Sequence, residues 1–310
     1  MIEMYRGERG TLERVAEPGP GVWIHVEDPS PEEIAWLHMD LGLPRDFVLS
    51  ALDADEQSRY DRDEGAQLVL LRLPYEEAPD SDYPFGTLPL GIILNGDKIV
   101  TISRAPADVI QDFVNGQVVG WSTSKHNRFI LQLLLRTASR YLRYLRRIDR
   151  EVDVLEDRLQ HSIRNAELLQ LLRFQKSLVY FATALKSNEL MMERLQRGGV
   201  LGRQEEDQEL LEDVITENLQ AIEMVGISNN ILSQMMDAFA SIISNNLSVV
   251  MKFLTGVTII LMVPTLVASF YGMNVPLPMQ NSPLAWVMTI VLSLILCIIV
   301  VVIFVKKDWL

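Results

Sequence analysis

The stretch that decides the fold is MKFLTGVTIILMVPTLVASFYGMN, residues 251–274, followed by VPLPMQNSP, residues 275–283, and LAWVMTIVLSLILCIIVVVIFVKK, residues 284–307. No charged residue occurs from Phe253 to Val305, whereas charges are frequent from Met1 to Lys252. A charge-free run of that length exceeds any buried core helix and accommodates two membrane crossings of about 20 residues each. The first is expected over Met251–Tyr271 and the second over Leu284–Val305. Between them Pro276, Pro278 and Pro283 make a turn rather than a helix. Lys252 stands before the first segment and Lys306 and Lys307 after the second, with no lysine in the loop. The positive-inside tendency then puts both chain ends in the cytosol, with Trp286 and Trp309 at the two interfaces.

Working outward, the 310 residues carry a net charge of −13, with one cysteine and four histidines. The N-terminal segment has no apolar run resembling a signal peptide, so residues 1–250 are expected in the cytosol. The acidic balance argues against a nucleic-acid partner, since phosphates need clustered Lys and Arg. Cys297 lies among Leu, Ile and Val and reads as a small apolar filler. His25, His38, His126 and His161 are scattered without metal-ligand spacing. No catalytic triad or phosphate-binding loop is visible, and no enzyme activity is expected.

Residues 1–121 read as an α/β region. Strands are expected at Val22–Val26, Gln67–Leu73, Leu88–Leu94 and Lys98–Ser103, with Asn95-Gly96-Asp97 as a hairpin turn. Ser30 reads as a helix N-cap followed by Pro31, and further helices are expected at Pro44–Ala54 and Pro106–Asn115. From Lys125 the pattern becomes helical: Leu131, Leu134, Leu135, Leu142, Leu145, Ile148, Val152, Leu155 and Leu159 recur at helical spacing, and Leu168–Leu195 continues the run. A helix–helix turn is expected at Gly198, Gly199 and Gly202, followed by a very long helix from about Glu205 into the membrane. The arginines of Arg136–Arg150 read as a solvated face paired with Glu151, Asp153, Glu156 and Asp157. The organisation is therefore 1–121 α/β, 122–250 long helices, 251–305 membrane hairpin and 306–310 basic tail.

Two membrane helices enclose no pore, so a plain anchor remains one reading. Against it, Thr255, Thr258, Met262, Thr265 and Ser269 recur at spacings of three and four on one helical face, extended downward by Met251 and Ser248. Polar side chains in a membrane helix face protein or a water-filled cavity. Several copies turning that face to a common axis would enclose a narrow, weakly polar pore, which makes oligomerisation a geometric requirement.

Tyr271-Gly272-Met273-Asn274 ends the first segment, and Met251-Lys252-Phe253-Leu254-Thr255 marks its inner entry. With the long cytosolic helix behind them, these features resemble the CorA family of magnesium transport proteins, the superfamily with two membrane helices and a Gly-Met-Asn motif. The resemblance implies a funnel-shaped homopentamer: an α+β cytosolic domain, very long helices and a C-terminal transmembrane hairpin in the inner (plasma) membrane. It implies a selectivity motif at Gly272, Met273 and Asn274, with Asn274 ringing the outer mouth around a hydrated ion. Ser248, Met251, Leu254, Met262 and Thr265 fall at pore-lining positions. Asp213 and Asp237 match acidic positions through which cytosolic Mg²⁺ closes the assembly. Mg²⁺ would be both cargo and regulator, with Co²⁺ and Ni²⁺ as further cargo. A proton-coupled zinc transporter, as the ZntB branch is described, and an anchored regulatory protein without transport are the alternatives. The chain departs from better-known members in carrying Ser248 where they have asparagine, in an outer loop, Val275–Ala285, without acids, and in a thin basic tail.

Overall fold

The structure, a computed structural model, describes every residue except 9–10, 64, 79–80, 162–164, 199–204, 275–282, 308 and 310. The expected turn glycines Gly199 and Gly202, most of the loop expected over residues 275–285 and Asp308 therefore lie outside the described residues. The chain divides into two compact units, Met1–Gln234 and Met235–Leu310.

The first unit is built on one sheet. Its strands are β1 (Ile2–Glu8), β2 (Thr11–Arg14), β3 (Trp23–Glu27), β4 (Arg59–Asp63), β5 (Ala66–Glu76), β6 (Phe85–Asn95) and β7 (Lys98–Ser103), lying side by side as β2-β1-β3-β7-β6-β5-β4. β3 and β7 run parallel and the other neighbours antiparallel. The four expected strands are present. β1, β2 and β4 come in addition to them: β2 (TLER) and β4 (RYDRD) are the charged edge strands of the sheet, and β1 (IEMYRGE) mixes charged with apolar residues, so none shows the apolar alternation that marks a buried strand.

Helices cover both faces, so β5 reads as a continuous apolar run rather than an alternating one. Leu68 and Leu70 face α1 (Pro31–Met39) and α2 (Arg45–Leu52), together with Ile24, Ile93, Val100, Phe47 and Ala51. Val69, Leu71 and Leu73 face the other way, into a core with α3 (Asp108–Val114), α4 (His126–His161), α5 (Asn165–Arg197) and the N-terminal part of α6 (Glu205–Tyr271). Ser30 caps α1 in a full capping box with Glu33, with Pro31 in the first turn. On the α4 side Trp23, Phe113, Trp121 and Phe129 pack ring on ring, with centroids 5.0–6.3 Å apart. His25, 2% exposed, hydrogen-bonds Thr101 Oγ1 through Nδ1 at 3.0 Å. Burial pushes its pKa down to about 4, so the ring is neutral near pH 7.

Two expectations are corrected. The helical run over Lys125–Leu195 is two helices: α4 ends at His161 and α5 begins at Asn165. Neither glycine nor proline punctuates that junction, which is why the sequence hides it. The arginine stripe of α4 is not simply a solvated face paired within its own helix. Arg140 is 9% exposed and bonds Asp112 at 2.6 Å and Asp108 at 3.3 Å, both on α3, while Arg147 pairs with Glu76 on β5. Periodicity along one helix cannot reveal partners brought up from other elements.

Helix α5 seals an open sheet edge. β4 pairs β5 only as far as Leu70, leaving the edge of β5 beyond it without a strand partner among the described residues. Asn188 of α5, 1% exposed, fills the gap: Arg72 N–H donates to its Oδ1 at 3.0 Å and its Nδ2 donates to Arg72 O at 3.0 Å. Ser177 Oγ accepts from Phe85 N–H, and Ser187 Oγ accepts from Ser58 N–H. A side-chain amide thus does for Arg72 what a neighbouring strand would do.

Candidate functional site

The membrane part of α6 and the whole of α7 (Ala285–Lys306) form a helix pair in the second unit. Both are long and apolar enough to cross a membrane by length and composition. Their contact face follows from residue size. On α6, Gly256 and Val267 are buried, and Ile260 and Val263, half-buried, complete the stripe at four- and three-residue steps. On α7, Ala285, Thr289, Ser293 and Cys297 recur every four residues and are half-buried, a row of small residues on one face, from which Cys297 Sγ reaches Ile260 O of α6 at 3.6 Å. The sequence reading missed this seam, although the four-residue spacing of small side chains was its available signal.

The expected pore positions stand on the other face. Ser248, Met251, Leu254, Thr255, Thr258, Met262, Thr265 and Ser269 are all exposed. Met251, Leu254 and Met262 are 52%, 57% and 62% exposed, against 7% for Val267 on the seam. α7 therefore covers none of the stripe within one chain. Three hydroxyls on it are oriented by their own helix: Ser248 donates to Ser244 O at 3.0 Å, Thr258 to Leu254 O at 2.8 Å and Thr265 to Leu261 O at 3.2 Å. Each thereby spends its hydrogen on the backbone and keeps its oxygen lone pairs as acceptors. An array of fixed acceptors suits the water hydrogens of a hydrated cation and disfavours an anion.

At its C-terminal end α6 stops at Tyr271, and Gly272, Met273 and Asn274 follow, all exposed. The Gly272 N–H bonds Ala268 O at 2.9 Å and the Met273 N–H bonds Phe270 O at 3.2 Å, closing the last turn. A Cβ at Gly272 would press to 3.3 Å on Ala268 O, so glycine keeps the helix end compact. The carbonyl end of α6 is the negative end of its dipole and favours a cation there. At the other membrane boundary Lys306 and Lys307 sit on the carbonyl end of α7 and complement it.

The two acidic positions are both exposed on α6, Asp213 in the first unit and Asp237 in the second. Among the described residues no three His, Cys, Asp or Glu side chains of one chain come together to hold a metal ion.

The family profile for the CorA-like Mg²⁺ transporter protein matches residues 20–307. The cobalt/magnesium transport protein CorA of Methanocaldococcus jannaschii is 29% identical over 298 residues, covering 93% of this chain and 91% of that protein. The complete structure of the CorA magnesium transporter from the same organism superposes with a TM-score of 0.87 at 26% identity, covering 100% of this chain and 99% of the other. The ZntB cytoplasmic domain from Vibrio parahaemolyticus aligns with a TM-score of 0.62 at 14% identity over 78% of this chain and 98% of that domain, a likeness of fold alone.

Proposed function

This chain belongs to the family of CorA-like Mg²⁺ transporter proteins, and from that premise we propose that it is a funnel-shaped homopentameric channel for divalent cations, each copy lining the pore with the Ser248–Asn274 stretch of α6. Mg²⁺ is the principal cargo, with Co²⁺ and Ni²⁺ as further ions, moving passively down the electrochemical gradient. Both chain ends lie in the cytosol and the short Gly-Met-Asn loop faces outside. The observation that carries this reading is the division of α6 into two faces: an apolar seam against α7 and, opposite it, an uncovered polar stripe. In an anchor such a stripe would lie in hydrocarbon without purpose; around an axis it meets water.

The chemistry suits Mg²⁺. That ion gives up its water reluctantly. Neutral hydroxyl and amide oxygens can bind the hydrated ion through its waters and release it, whereas a carboxylate ring would hold it too tightly for conduction. Asn274 rings the outer mouth, and Met251, Leu254 and Met262 are apolar constrictions. Gating follows from Asp213 and Asp237. Carboxylates of neighbouring copies repel one another until cytosolic Mg²⁺ bridges them, so a high internal concentration stabilises the closed assembly.

The test is Mg²⁺ uptake by proteoliposomes carrying the purified chain. Uptake is expected, is indifferent to an imposed pH gradient, and falls about tenfold or more in Asn274→Ala, since losing charge-assisted hydrogen bonds of ~1.5 kcal/mol or more removes that much. Zn²⁺ uptake that follows the pH gradient would replace this reading with proton-coupled zinc transport. A chain that passes no divalent ion would leave only the anchor.

A further inference from the structure

The first membrane helix carries a proline, Pro264, midway through its membrane span. Proline has no N–H, so the carbonyl of Ile260, four residues back, receives no helical hydrogen bond, and the ring pushes that carbonyl aside. In hydrocarbon an unpaired carbonyl is expensive, and membrane helices keep a proline only where something else re-satisfies the freed group. Here the something else comes from the second helix: the Sγ of Cys297 lies 3.6 Å from Ile260 O and donates to it. The neighbouring carbonyl, Leu261 O, whose bond to the next amide a proline also loosens, accepts the Thr265 hydroxyl at 3.2 Å. Each of the two carbonyls disturbed by Pro264 therefore has a side-chain donor, one from each helix. Cys297 is the chain's single cysteine and sits in the row of small residues that packs against α6.

We infer that Cys297 is a positioning residue for ion passage: its thiol donates to the Ile260 carbonyl freed by Pro264, tying α7 to the pore helix at the level of Met262 and Thr265. The tie fixes how far α6 bends at Pro264 and hence where those two side chains stand relative to the axis. Cysteine suits the position because it pairs a donor with a small apolar body. A larger polar side chain would force the helices apart, and alanine or valine would leave the carbonyl unpaired. The transport consequence rests on the pore reading above, whereas the hydrogen bond does not.

The two parts are tested separately. With one cysteine per chain, the infrared S–H stretching band of the full-length protein in lipid reports this thiol alone. The band is expected at a hydrogen-bonded position, below that of a free thiol in apolar solvent; a band at the free position would overturn the inference whatever the protein transports. For transport, Cys297→Val is expected to slow Mg²⁺ flux about threefold, the average worth of an interhelical membrane hydrogen bond. Cys297→Ser, which keeps a donor, should restore most of that loss. In a Pro264→Ala background the backbone N–H regained at that position satisfies Ile260 O from within α6, so adding Cys297→Val should have no further effect. An equal effect of Cys297→Val in both backgrounds would show that the residue acts through volume alone and would overturn the role. Should Cys297→Val fail to assemble, the Cys297→Ser and Cys297→Ala pair is compared across the same two backgrounds.

Discussion

Gly91, on β6, shows how far one residue can decide the packing of a layer. A Cβ built there lies 2.4 Å from the Ala51 Cβ of α2, so α2 rests on the bare backbone of the sheet. Gly91→Ala should force the helix off the sheet and destabilise the first unit by about 1–3 kcal/mol, the usual effect of overpacking a filled core. Adding Ala51→Gly should recover much of that loss, because the two changes share one space and cannot be additive. Thermal unfolding of the full chain in detergent, followed by tryptophan fluorescence, reads both; equal destabilisation in the single and double variants would contradict the contact. Gly272 is a second glycine held by space rather than by backbone angle, its would-be Cβ meeting the carbonyls of Ala268 and Ser269.

At the scale of the element, α5 does the work of a missing strand. Asn188→Leu keeps the volume but strips Arg72 N–H of its acceptor, a loss of about 1–3 kcal/mol for a buried group left unpaired. Hydrogen exchange at the Arg72 amide is expected to quicken in the variant while amides at the centre of the sheet, such as that of Ile92, keep their protection; unchanged exchange at Arg72 would contradict the edge seal. The sequence made some of these elements plain and hid others for physical reasons. Lys98–Ser103 and the Asn95-Gly96-Asp97 turn were legible because apolar alternation and turn chemistry are local signals. The same holds for the 67-residue α6, with no glycine pair or proline between Glu205 and Pro264 to interrupt it. The charged edge strand β4 and the α4–α5 junction were illegible because nothing in their residue types announces them. The Arg140 partners Asp108 and Asp112 are 32 and 28 residues away in the chain, and only tertiary packing joins them. The polar stripe of α6 was readable from spacing alone, and the four-residue row of small side chains on α7 carried a signal of the same kind; the bond from Cys297 to Ile260 O was illegible because only the meeting of two helices joins residues 37 positions apart.

On the scale of the whole molecule, the proposed pore depends on which way one face of α6 points in the membrane. A single chain leaves the stripe uncovered and spends the opposite face on α7, so other copies must supply the rest of any pore wall. The direct measurement is thiol accessibility in membranes, in a Cys297→Ser background that keeps the donor to Ile260. Thr258→Cys places a thiol on the stripe, and Ile299→Cys places one on the exposed side of α7, 48% exposed in the single chain. A charged, membrane-impermeant thiol reagent is expected to modify the cysteine at 258 and block Mg²⁺ flux, since only water carries such a reagent to mid-membrane, while the cysteine at 299 stays unmodified in lipid. Modification at 299 with protection at 258 would mean that the hydroxyl stripe faces lipid, and the pore would have to be sought elsewhere.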